Sequence, residues 1–325
     1  MTTRVLSLGD SWFHYPKGLD RDGNILVFND FRELISKGKG VGNIPFYLVH
    51  KFAVHIDYEE TTPSSLIDPL THNVESHDDN FGVCGEELTE MIYGRKRREP
   101  VTKNSDINWM NLLIKRVEWY LHTYGVDNVI ILLSGGGNDM VDENLIDFVV
   151  PNGSKWSVNR EVLTEEIDKL MEAWRTLFST LENKFPQLKF NYIIHGYDNP
   201  PVNGRGLITH DAYRIEQPLQ KLGIGPWISK TLLGEKYLVG NQTSRTEAEN
   251  IIKEMLEVYN QKLELLSNSM GGKLRYLDLR NKTIPNLIDE DWANELHYGR
   301  EKYIQTSQLF KYEIEAIIND NTKNY

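Results

Sequence analysis

The chain has 325 residues, is 40% hydrophobic and 26% charged, and carries a formal net charge of −11. That length suits one large domain or two small ones with a substantial core, and the acidic balance leaves no cationic surplus for a general nucleic-acid binder. One cysteine, Cys84, excludes an intrachain disulfide. No charged-then-apolar leader opens the sequence and no apolar run approaches the ~20 residues of a membrane span, so a cytoplasmic protein without a membrane span is expected. In that setting the sequons at Asn152, Asn241 and Asn281 carry no meaning.

Residues Arg4 to Phe13, RVLSLGDSWF, are an apolar run that stops at Gly9-Asp10-Ser11. This pattern predicts a buried strand delivering a serine to the mouth of a sheet. An irregular stretch follows, then a helix near Phe31 to Ser36 broken by Lys37-Gly38-Lys39-Gly40, and a segment from Ile44 to Phe52 that periodicity assigns to neither helix nor strand. Residues 53–80 are polar and read as a loop insertion. Asn80 to Gly85 is an apolar patch ending in glycine before a helix start.

Beyond it the signals strengthen. Trp109, Leu113, Val117, Tyr120 and Tyr124 recur at helical spacing, which predicts a helix over 108–124. Val129 to Leu133 is a buried strand ending in Ser134-Gly135-Gly136-Gly137-Asn138-Asp139. Ile167, Leu170, Met171, Trp174, Leu177, Phe178 and Leu181 form one stripe that Pro186 stops. Phe190 to Ile194 is a strand leading into His195 and Asp198, which either line a pocket mouth or, for His195, bond to backbone. Residues 199–241 hold much Gly and Pro and read as an excursion over the sheet, with a short helix around 227–233. Ala248, Ile251, Met255, Tyr259, Leu263 and Leu266 predict a helix ended by Gly271-Gly272. Leu274 to Leu279 is a strand, 281–297 a loop, and Tyr303 to Ile317 the last helix. A loose tail is expected over 319–325. Strands alternating with helices imply a parallel sheet covered on both faces, with the site at the carboxyl ends of the strands.

Four pieces meet that edge: Ser11, Gly85, Asn138 and His297. Acyl transfer by serine needs a base for the hydroxyl proton, a group orienting that base, and donors aimed at the developing oxyanion. His297 suits the base. Glycine at 85 lets a backbone N–H approach the substrate, and Asn138 offers a neutral donor. No Gly-x-Ser-x-Gly elbow, phosphate loop or dinucleotide fingerprint competes with this reading. No His-x-x-x-His or Cys-x-x-Cys pair is present either, so no metal site is expected; His72, His77, Asp78 and Asp79 are merely close in sequence.

With Gly9-Asp10-Ser11, Asn80 to Gly85, Gly136-Gly137-Asn138-Asp139 and Asn294-Glu295-Leu296-His297 in that order, the chain resembles the SGNH hydrolases of the GDSL esterase/lipase superfamily. The resemblance implies an α/β fold, a three-layer α/β/α sandwich with a central parallel sheet of flavodoxin-like type, spanning residues 1–318. It also implies ester hydrolysis through an acyl-enzyme and no cofactor. Ser11 would be the nucleophile, His297 the base, and Ser11, Gly85 and Asn138 the oxyanion hole. The substrate would be a small-molecule, glycan or lipid ester.

The family places aspartate three residues before the histidine; here the residue is Asn294. Asn294 as orienter, Asp291 as the acid, or a backbone carbonyl all remain open, as does a non-catalytic binding module for acylated sugars or lipids. Glu295 is expected to be exposed. Asp10 is expected to stabilise the serine turn and, with Tyr197 and Trp227, to contact substrate; Tyr213 is a further rim candidate.

Overall fold

The computed structural model describes residues 3–10, 12–13, 17–19, 25–27, 44–45, 48, 80–82, 87–94, 109–152, 155–204, 227–233, 242–280, 291–292 and 294–323. Five strands form one sheet: β1 (Thr3–Gly9), β4 (Asn80–Gly82), β5 (Asn128–Leu133), β8 (Lys189–His195) and β9 (Leu274–Leu277). Their order across the sheet is β4-β1-β5-β8-β9, every neighbouring pair parallel. Counting only these strands, that is 2-1-3-4-5, the flavodoxin-like order, in which ligands sit where the winding reverses, beyond the ends of the first and third strands. Here those strands are β1 and β5. Every residue of β5 is buried, the mark of a central strand covered on both faces.

The helices are α1 (Leu88–Tyr93), α2 (Trp109–Tyr124), α3 (Arg160–Lys184), α4 (Ser229–Leu233), α5 (Gln242–Ser269) and α6 (Arg300–Lys323). From β4 to β9 the chain advances across the sheet in one direction. Right-handed crossovers therefore put the intervening helices on one face, where α2, α1, α3 and α5 touch in that order. The step from β1 to β4 runs the other way across the sheet, and Ile44, one of the described residues between them, meets α6. There Ser307 of α6 donates to the Ile44 carbonyl (3.2 Å), and α6 packs on β8 and β9. The described residues of the ambiguous segment after position 43, Ile44, Pro45 and Leu48, are helical.

Two antiparallel hairpins lie outside the main sheet: β2 (Lys17–Leu19) with β3 (Ile25–Val27), and β6 (Val149–Asn152) with β7 (Lys155–Val158). The expected tail is a correction. Helix α6 continues to Lys323 because Arg275 of β9 forks between Glu313 (2.8 Å) and Asp320 (3.0 Å), tying its last turns to the sheet edge. Among the described residues no helix is long and apolar enough to cross a membrane.

Candidate active site

Strand β1 ends at Gly9, and Asp10 begins the turn. Asp10 is buried and its carboxylate is fully engaged. Oδ1 accepts from the Trp12 N–H (3.1 Å) and the Ser134 hydroxyl (2.7 Å), and Oδ2 accepts from Tyr197 (2.5 Å). It thus welds the ends of β1, β5 and β8 together. Ser134 Oγ also lies 2.8 Å from His195 Nε2, while His195 Nδ1 faces the Gly196 carbonyl at 2.8 Å. His195 is completely buried, and burial lowers its pKa. Of the two roles open to it, the structure assigns the backbone-bonded one.

The loop after β5 is shaped by close approaches. Gly136 has φ +95°, and a Cβ there would stand 2.5 Å from the Tyr259 hydroxyl. Tyr259 in turn donates to the Gly135 carbonyl. The Gly137 N–H donates to Tyr197 Oη (3.1 Å), and Asn138, half-buried, opens a 3-10 turn through Met140. Asp139 is buried and accepts from the Leu88 N–H at 2.9 Å, the first turn of α1. Burial pushes its carboxyl up to about 7, against the Leu88 N–H that holds it down. Asp139 therefore joins the third sequence block to the helix that follows the second.

The histidine loop closes on itself. Trp292 and Tyr298 form an antiparallel bridge and the Gly299 N–H donates to the Asp291 carbonyl at 2.7 Å. Inside it, Asn294 Oδ1 receives the N–H groups of Leu296 (2.9 Å) and His297 (3.0 Å), and His297 Nδ1 at 2.9 Å. Two backbone donors on one atom fix that atom as the amide oxygen. An oxygen facing Nδ1 requires the proton there, so the neutral imidazole carries its lone pair on Nε2. Asn294 Oδ1 is thus a group that faces Nδ1 in this geometry. The charge of Asp291 acts on Lys302. His297 is 2% exposed, and burial depresses its pKa to about 3. The Trp227 ring stands edge-on to it, centroids 6.0 Å apart.

Asp10, Trp12, Gly137, Asn138, Tyr197 and Leu296 line one pocket, with about 550 Å³ of empty space counting its open mouth. Trp12 packs on Tyr298 with ring centroids 4.7 Å apart. The residues on both sides of position 11 thus meet the residues on both sides of position 297. Ser11, Gly85, Cys84, Tyr213 and the His72 to Asp79 loop lie outside the described residues, as do most of 53–80 and of 199–241. Asp10 and Tyr197 reach the pocket wall with their polar atoms committed inside the protein. Trp227 reaches the histidine instead. No group of His, Cys, Asp or Glu able to hold a metal occurs among the described residues.

Glu295 is a correction. It is fully buried, and its carboxylate accepts from the N–H groups of Gly204 (2.9 Å), Ile228 (2.8 Å) and Ser229 (3.2 Å), and from the Ser229 hydroxyl. Alternation in a loop gave no hint of this, because the donors come from an insertion nearly seventy residues away. A second brace was also unread. Asp198, after β8, accepts from Tyr298 Oη at 2.9 Å, and Lys302 Nζ stands 3.7 Å from the same oxygen. The signal available was a buried-type lysine inside the apolar stripe of α6.

No protein-family model matches the sequence, and no curated protein matches it. Solved structures do match. One is Est24, a carbohydrate acetylesterase from Sinorhizobium meliloti (11% identity, 97% of this chain and 100% of that chain, TM-score 0.41). Others are an extracellular lipase from Streptomyces rimosus (11%, 94% and 98%, 0.39) and an aryl esterase from M. smegmatis (14%, 96% and 99%, 0.37). These three are two esterases and a lipase by name.

Proposed function

We propose that the protein is a serine ester hydrolase of the SGNH type. Ser11 Oγ bonds to the ester carbonyl carbon while His297 Nε2 takes its proton. The C–O bond to the alcohol then breaks, and His297 returns the proton to the leaving oxygen. Water, activated by the same nitrogen, repeats the sequence in reverse and frees the acid. The Asn138 side-chain amide and the N–H groups of Ser11 and Gly85 donate to the oxyanion.

One observation carries the reading: the Asn294 oxygen, pinned by two backbone N–H groups, leaves His297 with its basic lone pair on Nε2. Residues flanking Ser11 and His297 line one pocket with Asn138, which supports it. The test is hydrolysis of short p-nitrophenyl esters by wild type and Ser11→Ala. Wild-type turnover with at least a ~10³-fold loss in the variant is expected; equal rates would end the proposal.

A binding module on the same fold is favoured by one feature, the neutral group on Nδ1, which gives a forming imidazolium no countercharge. Ligand binding without turnover would mark that outcome.

A further inference from the structure

We infer that the pocket takes the acyl part of the ester as an apolar chain of several carbons, not an acetyl group carried on a sugar. This rests on the hydrolase reading above. Ile252, Met255 and Leu256, from one face of α5, line the pocket together with Met140, Ile228 and Trp292. The polar side chains among the described lining residues are mostly spoken for. Both Asp10 oxygens and the Tyr197 hydroxyl are bonded to one another or to the turn. Asp198 accepts from the Asn199 N–H (2.8 Å) on one oxygen and from Tyr298 on the other, with Lys302 beside it.

A sugar entering such a wall would strip water from its hydroxyls and find few partners, which costs affinity at each one. A hydrocarbon loses nothing and gains burial. The retained half of the substrate is the natural occupant. The alcohol must leave and water must replace it, so its side of the site has to open to solvent. The acyl group stays bonded through both steps and can lie along the apolar wall of the pocket that Asn138 also lines.

The experiment is a p-nitrophenyl series from acetate through butyrate and hexanoate to octanoate. It uses the full chain, wild type and two variants, with far-UV circular dichroism to confirm folding. Wild-type kcat/KM is expected to rise about threefold per added methylene until the chain fills the pocket. Met255→Trp should lower the hexanoate-to-acetate ratio at least tenfold, and Met255→Ala should move the optimum to a longer chain. If either variant fails to fold, the wild-type series decides. Turnover that is fastest with acetate and falls with chain length would overturn this inference and leave the hydrolase reading standing. No turnover of any ester, with no covalent labelling by a fluorophosphonate, would overturn both.

Discussion

An amide oxygen and a carboxylate at position 294 would receive the same three N–H groups. Only the charge differs. Asn294 therefore keeps the tautomer of His297 and gives up the stabilisation of its protonated form, and the depressed pKa of about 3 is the direct result of burial without a countercharge. Asn294→Asp is expected to raise that pKa towards the ordinary value and to increase kcat about tenfold or more, read from pH–rate profiles and from NMR titration of the imidazole. Asn294→Ala removes all three acceptor contacts and is expected to lower kcat at least ~10²-fold by loosening the ring. In the wild type, kcat/KM should stay level from pH 8 down to about 4, since the base form of His297 is lost only on approach to about 3. An inflection near 6.5 would show that the imidazole is exposed and ordinary.

Among the elements, the loops at the carboxyl edge are held by side chains that look like site residues in the sequence and prove to be fasteners. Glu295 ties the histidine loop to the start of α4 by accepting the N–H groups of Ile228 and Ser229, and that of Gly204, which Ser229 Oγ also meets at 3.0 Å. Glu295→Ala should cost about 3 kcal/mol of stability, measured by denaturant unfolding, because buried donors lose their acceptor. Gly136→Ala should cost a similar amount, since φ +95° strains any Cβ and Tyr259 blocks it.

The strands, the long helices and the order of the four blocks were legible because burial on two faces and helical periodicity leave their mark within a few residues. The turn role of Asp10 was legible too, but the distant partners of Asp10, His195, Asp198 and Glu295 were not, because they lie between about sixty and nearly two hundred positions away and a polar residue's burial depends on who meets it. Asn294 was legible as a departure from the family pattern. Its role needed the two backbone donors to be seen.

At the scale of the molecule, buried ionisable groups set an opposed pH dependence, with Asp198, also raised by burial, acting in the same direction as Asp139 and Glu295. His297 and His195 have pKa values below their ordinary 6.5, so the unfolded chain binds more protons and stability falls as pH drops below 6.5, down to about 3 for His297. Asp139 and Glu295 are raised to about 7, so their contribution is full at low pH and is lost as pH rises to about 7. The two effects oppose each other between pH 3.8 and 6.5; the histidines act alone below and the carboxyls alone above. Unfolding midpoints in urea should therefore be higher at about pH 5 than at either about 3 or about 7.5, whereas a steady climb across that range would mean that the carboxyls are ionised in the folded protein.

The central claim is that a hydroxyl just after β1 is activated by the imidazole just before α6. Its most direct measurement is peptide mapping by mass spectrometry after incubation with a fluorophosphonate. One adduct is expected, on Ser11, and it should disappear in His297→Ala. An adduct on any other residue, or labelling of Ser11 that is indifferent to His297, would contradict it.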